Sequence, residues 1–137
     1  ISNAMDVGNP SNFIRVLELF NQQVDNLKKI VSSYSVSDTT TASTIKNVFE
    51  KYNYVLDPHG AVGYYALIEY LKDNIDQQPT PASGIFLETA HPVKFPETVE
   101  AATNTKIEIP GNVPSLFNNQ KQSKTVNKKS AGAIEAI

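Results

Sequence analysis

Gly84-Ile85-Phe86-Leu87-Glu88-Thr89-Ala90-His91-Pro92-Val93-Lys94-Phe95 opens as a short apolar run, then breaks into Thr89, His91 and Lys94. Pro92 cannot donate to a ladder, so a strand cannot continue through it. A buried strand that delivers polar groups at its C-terminal end is how an open α/β sheet builds a ligand site. The pattern predicts a strand over 85–87 and a turn over 89–94, with the rest of the chain reading as helices able to flank them.

Upstream, Gly8-Asn9-Pro10 is a turn signal, and Ser11 or Asn12 stands where a helix N-cap belongs. Phe13, Val16, Leu17, Phe20, Val24 and Leu27 recur at three- and four-residue spacing. That stripe predicts one amphipathic helix of about five turns. The Ser/Thr-rich stretch 32–44 reads as a connection with a cap near Ser37-Asp38. A second helix follows on Ile45, Val48, Phe49 and Tyr52, ending at Asn53-Tyr54.

Asp57-Pro58 is a strong start signal, since Asp accepts from free N–H groups and Pro at the first position loses no bond. The helix from 58 to about 72 carries apolar side chains around most of its circumference, which predicts burial on several sides. Small Gly60, Ala61 and Gly63 near its start would let another backbone approach closely, and one chain of this length has little with which to surround such a helix. Pro79 and Pro81 mark a linker. After the central stretch, Pro96 opens a shorter helix with Phe95, Val99 and Ala102 inward, and Ile107-Glu108-Ile109 reads as a second short strand.

The fold class expected is therefore an α/β fragment, predominantly helical with two short strands. A strand as apolar as Ile85-Phe86-Leu87 wants neighbours on both edges, and the chain offers at most one. This is read as a sheet lying upstream of Ile1, with the chain beginning inside a longer protein. Residues 1–117 form the folded part, and 118–137 are too poor in apolar side chains to offset their ordering entropy, which predicts a loose tail.

Composition narrows the function. The 137 residues are 40% apolar and 19% charged with a net charge of −2, so no basic footprint for nucleic acid is present. No apolar run is long enough to span a membrane, and no leader pattern is visible. Without cysteine there are no disulfides, thiolate metal sites or cysteine nucleophiles. The two histidines lie far apart with no paired carboxylate spacing, so no metal site is expected. The six glycines are too scattered to cradle a phosphate.

Thr89, His91 and Lys94 are the best candidate constellation: a hydroxyl for a ring nitrogen, and an imidazole or cation for a phosphate. On spacing alone, an ordinary strand-to-helix turn with a Thr cap and a solvated Lys94 explains them better. His59 is either a donor at a helix N-terminus or a half-buried neighbour of its cap. The polar opening loop, with Asn3, Asp6, Ser11, Asn12 and Arg15, suits an anion beside a helix start or simple turn chemistry equally well.

Three segments together resemble one family. Ser2-Asn3-Ala4-Met5-Asp6-Val7-Gly8-Asn9-Pro10-Ser11-Asn12-Phe13 with Arg15, then Asp57-Pro58-His59-Gly60-Ala61-Val62-Gly63-Tyr64, then Phe86 through Phe95 are similar, in order and separation, to the C-terminal part of bacterial threonine synthases. Ser2-Asn3-Ala4 has the look of an expression-tag scar, but the same tripeptide precedes Met-Asp in that family and is read as native.

The resemblance implies a fold type II pyridoxal-phosphate enzyme that converts O-phospho-L-homoserine and water to L-threonine and phosphate in the cytoplasm. It implies that Thr89 meets the pyridine nitrogen, with His91 and Lys94 near substrate phosphate. Asn3, Asp6, Ser11, Asn12 and Arg15 fall on the substrate side. The cofactor lysine and the glycine-rich phosphate loop belong to the N-terminal part of the family, and Lys94 does not stand in the lysine's motif. The expectation is thus a fragment with no catalytic residue of its own, inactive alone, needing the missing N-terminal part and prone to self-association. The rival readings are a helical interaction or anion-binding module and another fold type II lyase such as a dehydratase.

Overall fold

The computed structural model describes residues 1–2, 10–77, 82–111 and 119–120. Asn3, Asp6, the linker prolines and nearly all of the 118–137 tail lie outside that set. Five α-helices follow in order: α1 (Phe13–Leu19), α2 (Val24–Lys28), α3 (Asp38–Tyr52), α4 (Pro58–Asp73) and α5 (Pro96–Thr103). Single 3-10 turns occupy Ile75–Gln77 and Pro92–Lys94.

The three longer helices begin and end where local chemistry dictates. Ser37 caps α3, its Oγ accepting from the Thr40 N–H at 3.1 Å, and Asp38 adds a favourable charge in the first turn. Asn53, in the left-handed region at φ 51°, closes it, and Asn104 at φ 52° does the same for α5. Helix α3 starts well before Ile45, inside the stretch read as a connection. Buried Thr41 and Thr44 make this possible, because their hydroxyls donate to the carbonyls of Ser37 and Thr40 at 2.9 and 2.8 Å. The Ser/Thr run is helical because each buried hydroxyl finds a partner one turn back.

Helix α3 packs against both α4 and α5. Ile45 and Val48 of α3, Leu56 of the connector, Ala61 of α4 and Val99 of α5 form the core. Ile45, Leu56 and Val99 are fully buried, and each such side chain contributes roughly 1.5–3 kcal/mol by leaving water. Val55, Tyr64, Phe86, Phe95, Ala102 and Ile107 pack around them.

The first helix departs from expectation. The predicted five-turn helix is broken between α1 and α2, where Asn21 and Gln22 adopt positive φ of 50° and 60°. No residue of α1 is buried, and Phe13, Ile14 and Leu19 are exposed, so its stripe has no packed face to reward continuity through Asn21-Gln22. Helix α4, apolar around most of its circumference, is more than the described part of the chain can surround: only Pro58, Gly60 and Ala61 are buried, all in its first turn. The rest of its apolar surface is half covered.

The predominantly helical character holds, but neither 85–87 nor 107–109 is paired as a strand among the described residues. Strands are defined by backbone partners, and no described segment pairs its backbone with either of these two. Residues 84–88 nevertheless alternate like a strand. Gly84 lies against Leu67, Phe86 against Gly63 and Tyr64, and Glu88 against Gly60, so the segment descends α4 in the opposite direction. Ile85 and Leu87 point away, 90% and 74% exposed. Two strand residues rise about 6.7 Å while three to four helical residues rise about 5 Å, which keeps the two in step over this length. At Gly60 and Gly63 it is side-chain atoms of Glu88 and Phe86 that approach, rather than the backbone expected there, and Gly84 makes room for Leu67 in the same way.

Replacing Ile45 by Ala should lower stability by about 2–5 kcal/mol through cavity formation. Ile85→Ala should change it by less than about 0.5 kcal/mol, because the side chain is already in water. Urea denaturation midpoints of the two variants test this contrast.

Candidate functional site

The extended segment reaches the N-terminus of α4 at Glu88. Asp57 is the α4 cap, fully buried, and its Oδ1 accepts from the His59 backbone N–H at 2.7 Å and lies 2.9 Å from His59 Nδ1. A carboxylate only accepts, so His59 Nδ1 carries the proton. Glu88 Oε1 in turn accepts from the backbone N–H of Asp57 at 2.7 Å. A residue 31 positions away thus caps the cap.

Two carboxyl groups meet here. Burial pushes Glu88 up to about 7; the hydrogen bond from the Asp57 backbone N–H opposes the shift, and the Asp57 carboxyl group adds to it. Burial also acts to raise Asp57, but hydrogen bonds from Glu88 and from the His59 backbone and ring outweigh it and hold the group below its ordinary value. The two groups are shifted in opposite directions, the pattern of two interacting acids.

Beyond Glu88 the chain turns. His91 Nδ1 accepts from the Val93 N–H at 3.2 Å, opening the 3-10 turn, so its Nε2 is the protonated nitrogen and faces outward. Val93 is buried and pins the turn, and Phe95 packs at 5.2 Å on the His59 ring before α5 begins. Thr89, His91 and Lys94 are all exposed. A cleft of about 690 Å³ is lined by Glu88, Thr89 and His91 on one side, and by Tyr54, Lys106 and Glu108 among others facing them.

Thr89 and His91 therefore share a cleft, and Lys94 does not line it. Ser11, Asn12 and Arg15 are exposed at the start of α1 and do not line it either. Asn12 precedes α1 in helical conformation and makes no side-chain cap bond, contrary to the capping expectation. Asp57, Glu88, Tyr54, Lys106 and Glu108 were not singled out as site residues. For Glu88 a signal existed: it shares the inward register of Gly84 and Phe86, where an acid is out of place unless it has a partner. No such signal marked Tyr54, Lys106 or Glu108.

The helical unit thus presents a hydroxyl and an imidazole at the end of an extended segment, both lining one cleft. The family model for the C-terminal region of threonine synthase matches residues 60–137, so the chain belongs to the threonine synthase family. That match runs through residues 118–137, beyond the segment that carried the resemblance. Threonine synthase of Buchnera aphidicola (subspecies Acyrthosiphon pisum) is 41% identical over 127 residues, 93% of this chain and 28% of that protein. The Escherichia coli enzyme is 40% identical over 110 residues, 80% of this chain and 24% of that one. Its crystal structure superposes with a TM-score of 0.69 at 37% identity, covering 85% of this chain and 25% of that one. The PLP-bound threonine synthase of Brucella melitensis superposes at 0.57 and 26% identity, covering 98% and 32%. The chain thus spans about a quarter to a third of the length of these relatives.

Gly60 sets the space for the acid pair: a Cβ there would collide with the Glu88 carboxyl. Alanine favours a helix over glycine by about 1 kcal/mol. Overpacking costs about 1–3 kcal/mol, and the displaced Glu88–Asp57 bond costs about 1–3 kcal/mol more. Gly60→Ala should therefore destabilise, whereas Gly63→Ala, with Phe86 at 3.9 Å, should not. Their relative urea midpoints decide it.

Proposed function

We propose that this chain forms the C-terminal part of a threonine synthase that converts O-phospho-L-homoserine and water to L-threonine and phosphate with pyridoxal 5'-phosphate. Family membership together with Thr89 and His91 facing one cleft carries this reading.

The residues fit one edge of the cofactor. A hydroxyl at Thr89 donates to an unprotonated pyridine nitrogen, which a carboxylate cannot do, and the cleft is within the usual range of about 300–1,000 Å³ for such sites. When bound, the cofactor supplies an electron sink for charge developing on the substrate's α-carbon. Thr89 would hold the ring edge, and the outward Nε2–H of His91 would donate to a phosphate oxygen of the substrate. Lys94 would add positive charge beside the turn rather than within the cleft. Asn3, Asp6, Ser11, Asn12 and Arg15 would meet the substrate from the opposite side, brought there by the rest of the enzyme.

No proton-transfer step is assigned to this chain. The cofactor lysine and the phosphate-gripping loop lie in the remainder of the enzyme, so the chain alone is inactive. Ile85 and Leu87 are then covered by the remainder, and the isolated chain self-associates through them. The cytoplasm suits an enzyme of a phosphorylated amino acid, which does not cross membranes unaided; among the described residues no helix is long and apolar enough to cross one.

Full-length enzyme given O-phosphohomoserine should release phosphate, and the 137-residue chain should not. Thr89→Val in the full-length enzyme should lower kcat by about tenfold or more, the loss of a hydrogen bond of about 1.4 kcal/mol, and shift the cofactor's absorbance. Absence of phosphate release, or deamination of threonine instead, overturns the assignment. A borohydride-stable adduct of the cofactor with the isolated chain overturns its inactivity.

A further inference from the structure

Asp57 Oδ2 and Glu88 Oε2 are buried, and neither finds a partner that donates or accepts conventionally. They belong to two carboxyl groups already in contact, each with its other oxygen engaged: Asp57 Oδ1 by His59, Glu88 Oε1 by the Asp57 N–H. The two side chains interact, and one shared proton would satisfy both orphaned acceptors. Glu88 Oε2–H donating to Asp57 Oδ2 leaves neither unpaired, and it makes Oε1 the carbonyl oxygen that accepts from the Asp57 amide.

Resting on the threonine synthase reading, we infer that Glu88 is a positioning residue, whose protonated carboxyl fastens the extended segment to the start of α4 and so sets the place of the adjacent Thr89 in the cleft. Thr89 follows Glu88 directly and is itself exposed, so the nearest deep anchor on its N-terminal side is this bond. On its C-terminal side the anchor is buried Val93. Between the two, residues 89–92 hang as a short span over the cleft.

The clasp depends on its proton. Ionised Glu88 would set two carboxylates together in a buried pocket, and the repulsion would release the segment from α4. The groups facing Glu88 are Asp57 and His59 from the start of α4, His91 on its own segment, and Tyr54, Lys106 and Glu108 across the cleft. Lys106 is itself paired with Glu100, so no cation among them is free to replace the proton.

The sign follows from linkage. Burial holds Glu88 at about 7, above its ordinary 4.5, so between those values the folded state binds more protons than the unfolded one. The clasp is complete below pH 4.5 as regards Glu88 and weakens as pH rises through about 7. Asp57 is shifted the other way, and its contribution fades only in acid below its ordinary value.

Exchange of the Asp57 amide, the N–H from which Glu88 accepts, should show protection in the full-length enzyme, corrected for intrinsic rate, that falls about tenfold per pH unit above neutrality. Glu88→Gln keeps both bonds, its amide N–H donating to Asp57 and its oxygen accepting from the Asp57 N–H, and should retain protection at pH 8. Asp57→Asn, whose amide donates to ionised Glu88, should flatten the dependence equally and serves if the first variant folds poorly. Protection that is independent of pH in the wild type, or that falls equally in both variants, overturns the clasp. In turnover, the alkaline decline of kcat should be removed by Glu88→Gln. An active enzyme whose alkaline limb is the same in wild type and variant overturns the positioning role. An enzyme releasing no phosphate at any pH defeats the threonine synthase reading and the positioning role resting on it, while the exchange result still decides the clasp.

Discussion

The backbone N–H of Asp57 donates to Glu88, and much of the rest depends on that one bond. It joins the start of α4 to an extended segment that would otherwise be held to the helix only by Phe86 and the notch at Gly84. A helix N-terminus presents free N–H groups, and Asp57 satisfies only some of them. Glu88 satisfies a further one, that of Asp57 itself, from a distance. By occupying the space left open at Gly60, it also brings a second acid against the first, and the site's electrostatics follow from that crowding.

The apolar side chains divide into two populations. Ile45, Val48, Leu56, Ala61 and Val99 close a small core between α3, α4 and α5. Ile14, Leu19, Ile85 and Leu87 remain in water. These four lie on α1 and on the outward register of the extended segment, and for the latter the sequence pattern called for more neighbours than the described residues supply. The clasp and the core hold one face of the segment, and its other face stays apolar and open.

Local signals proved legible where bonds close within one turn. Asp57-Pro58 and Pro96 started helices at the expected positions, and Asn53 ended one. The first helix misled because periodicity reports a preferred face without reporting whether anything packs on it; with no burial on α1, the turn at Asn21-Gln22 prevailed. The Ser/Thr stretch misled in the other direction, because hydroxyls bonded one turn back are compatible with a buried helical face. At the site, Thr89 and His91 were visible from the break in the apolar run, whereas the acid beside them was passed over as part of that run.

By itself the sequence determined the helical framework, the turn at Pro92 and the likeness of three motifs to threonine synthases, since capping bonds and proline geometry act over a few residues. Only the tertiary structure decided that Glu88 faces inward, that it meets Asp57 across 31 positions, and that one proton satisfies both. A carboxyl group's protonation depends on the surrounding dielectric and on the charges within a few ångströms of it. Those are properties of the folded arrangement, and neighbours along the chain do not specify them.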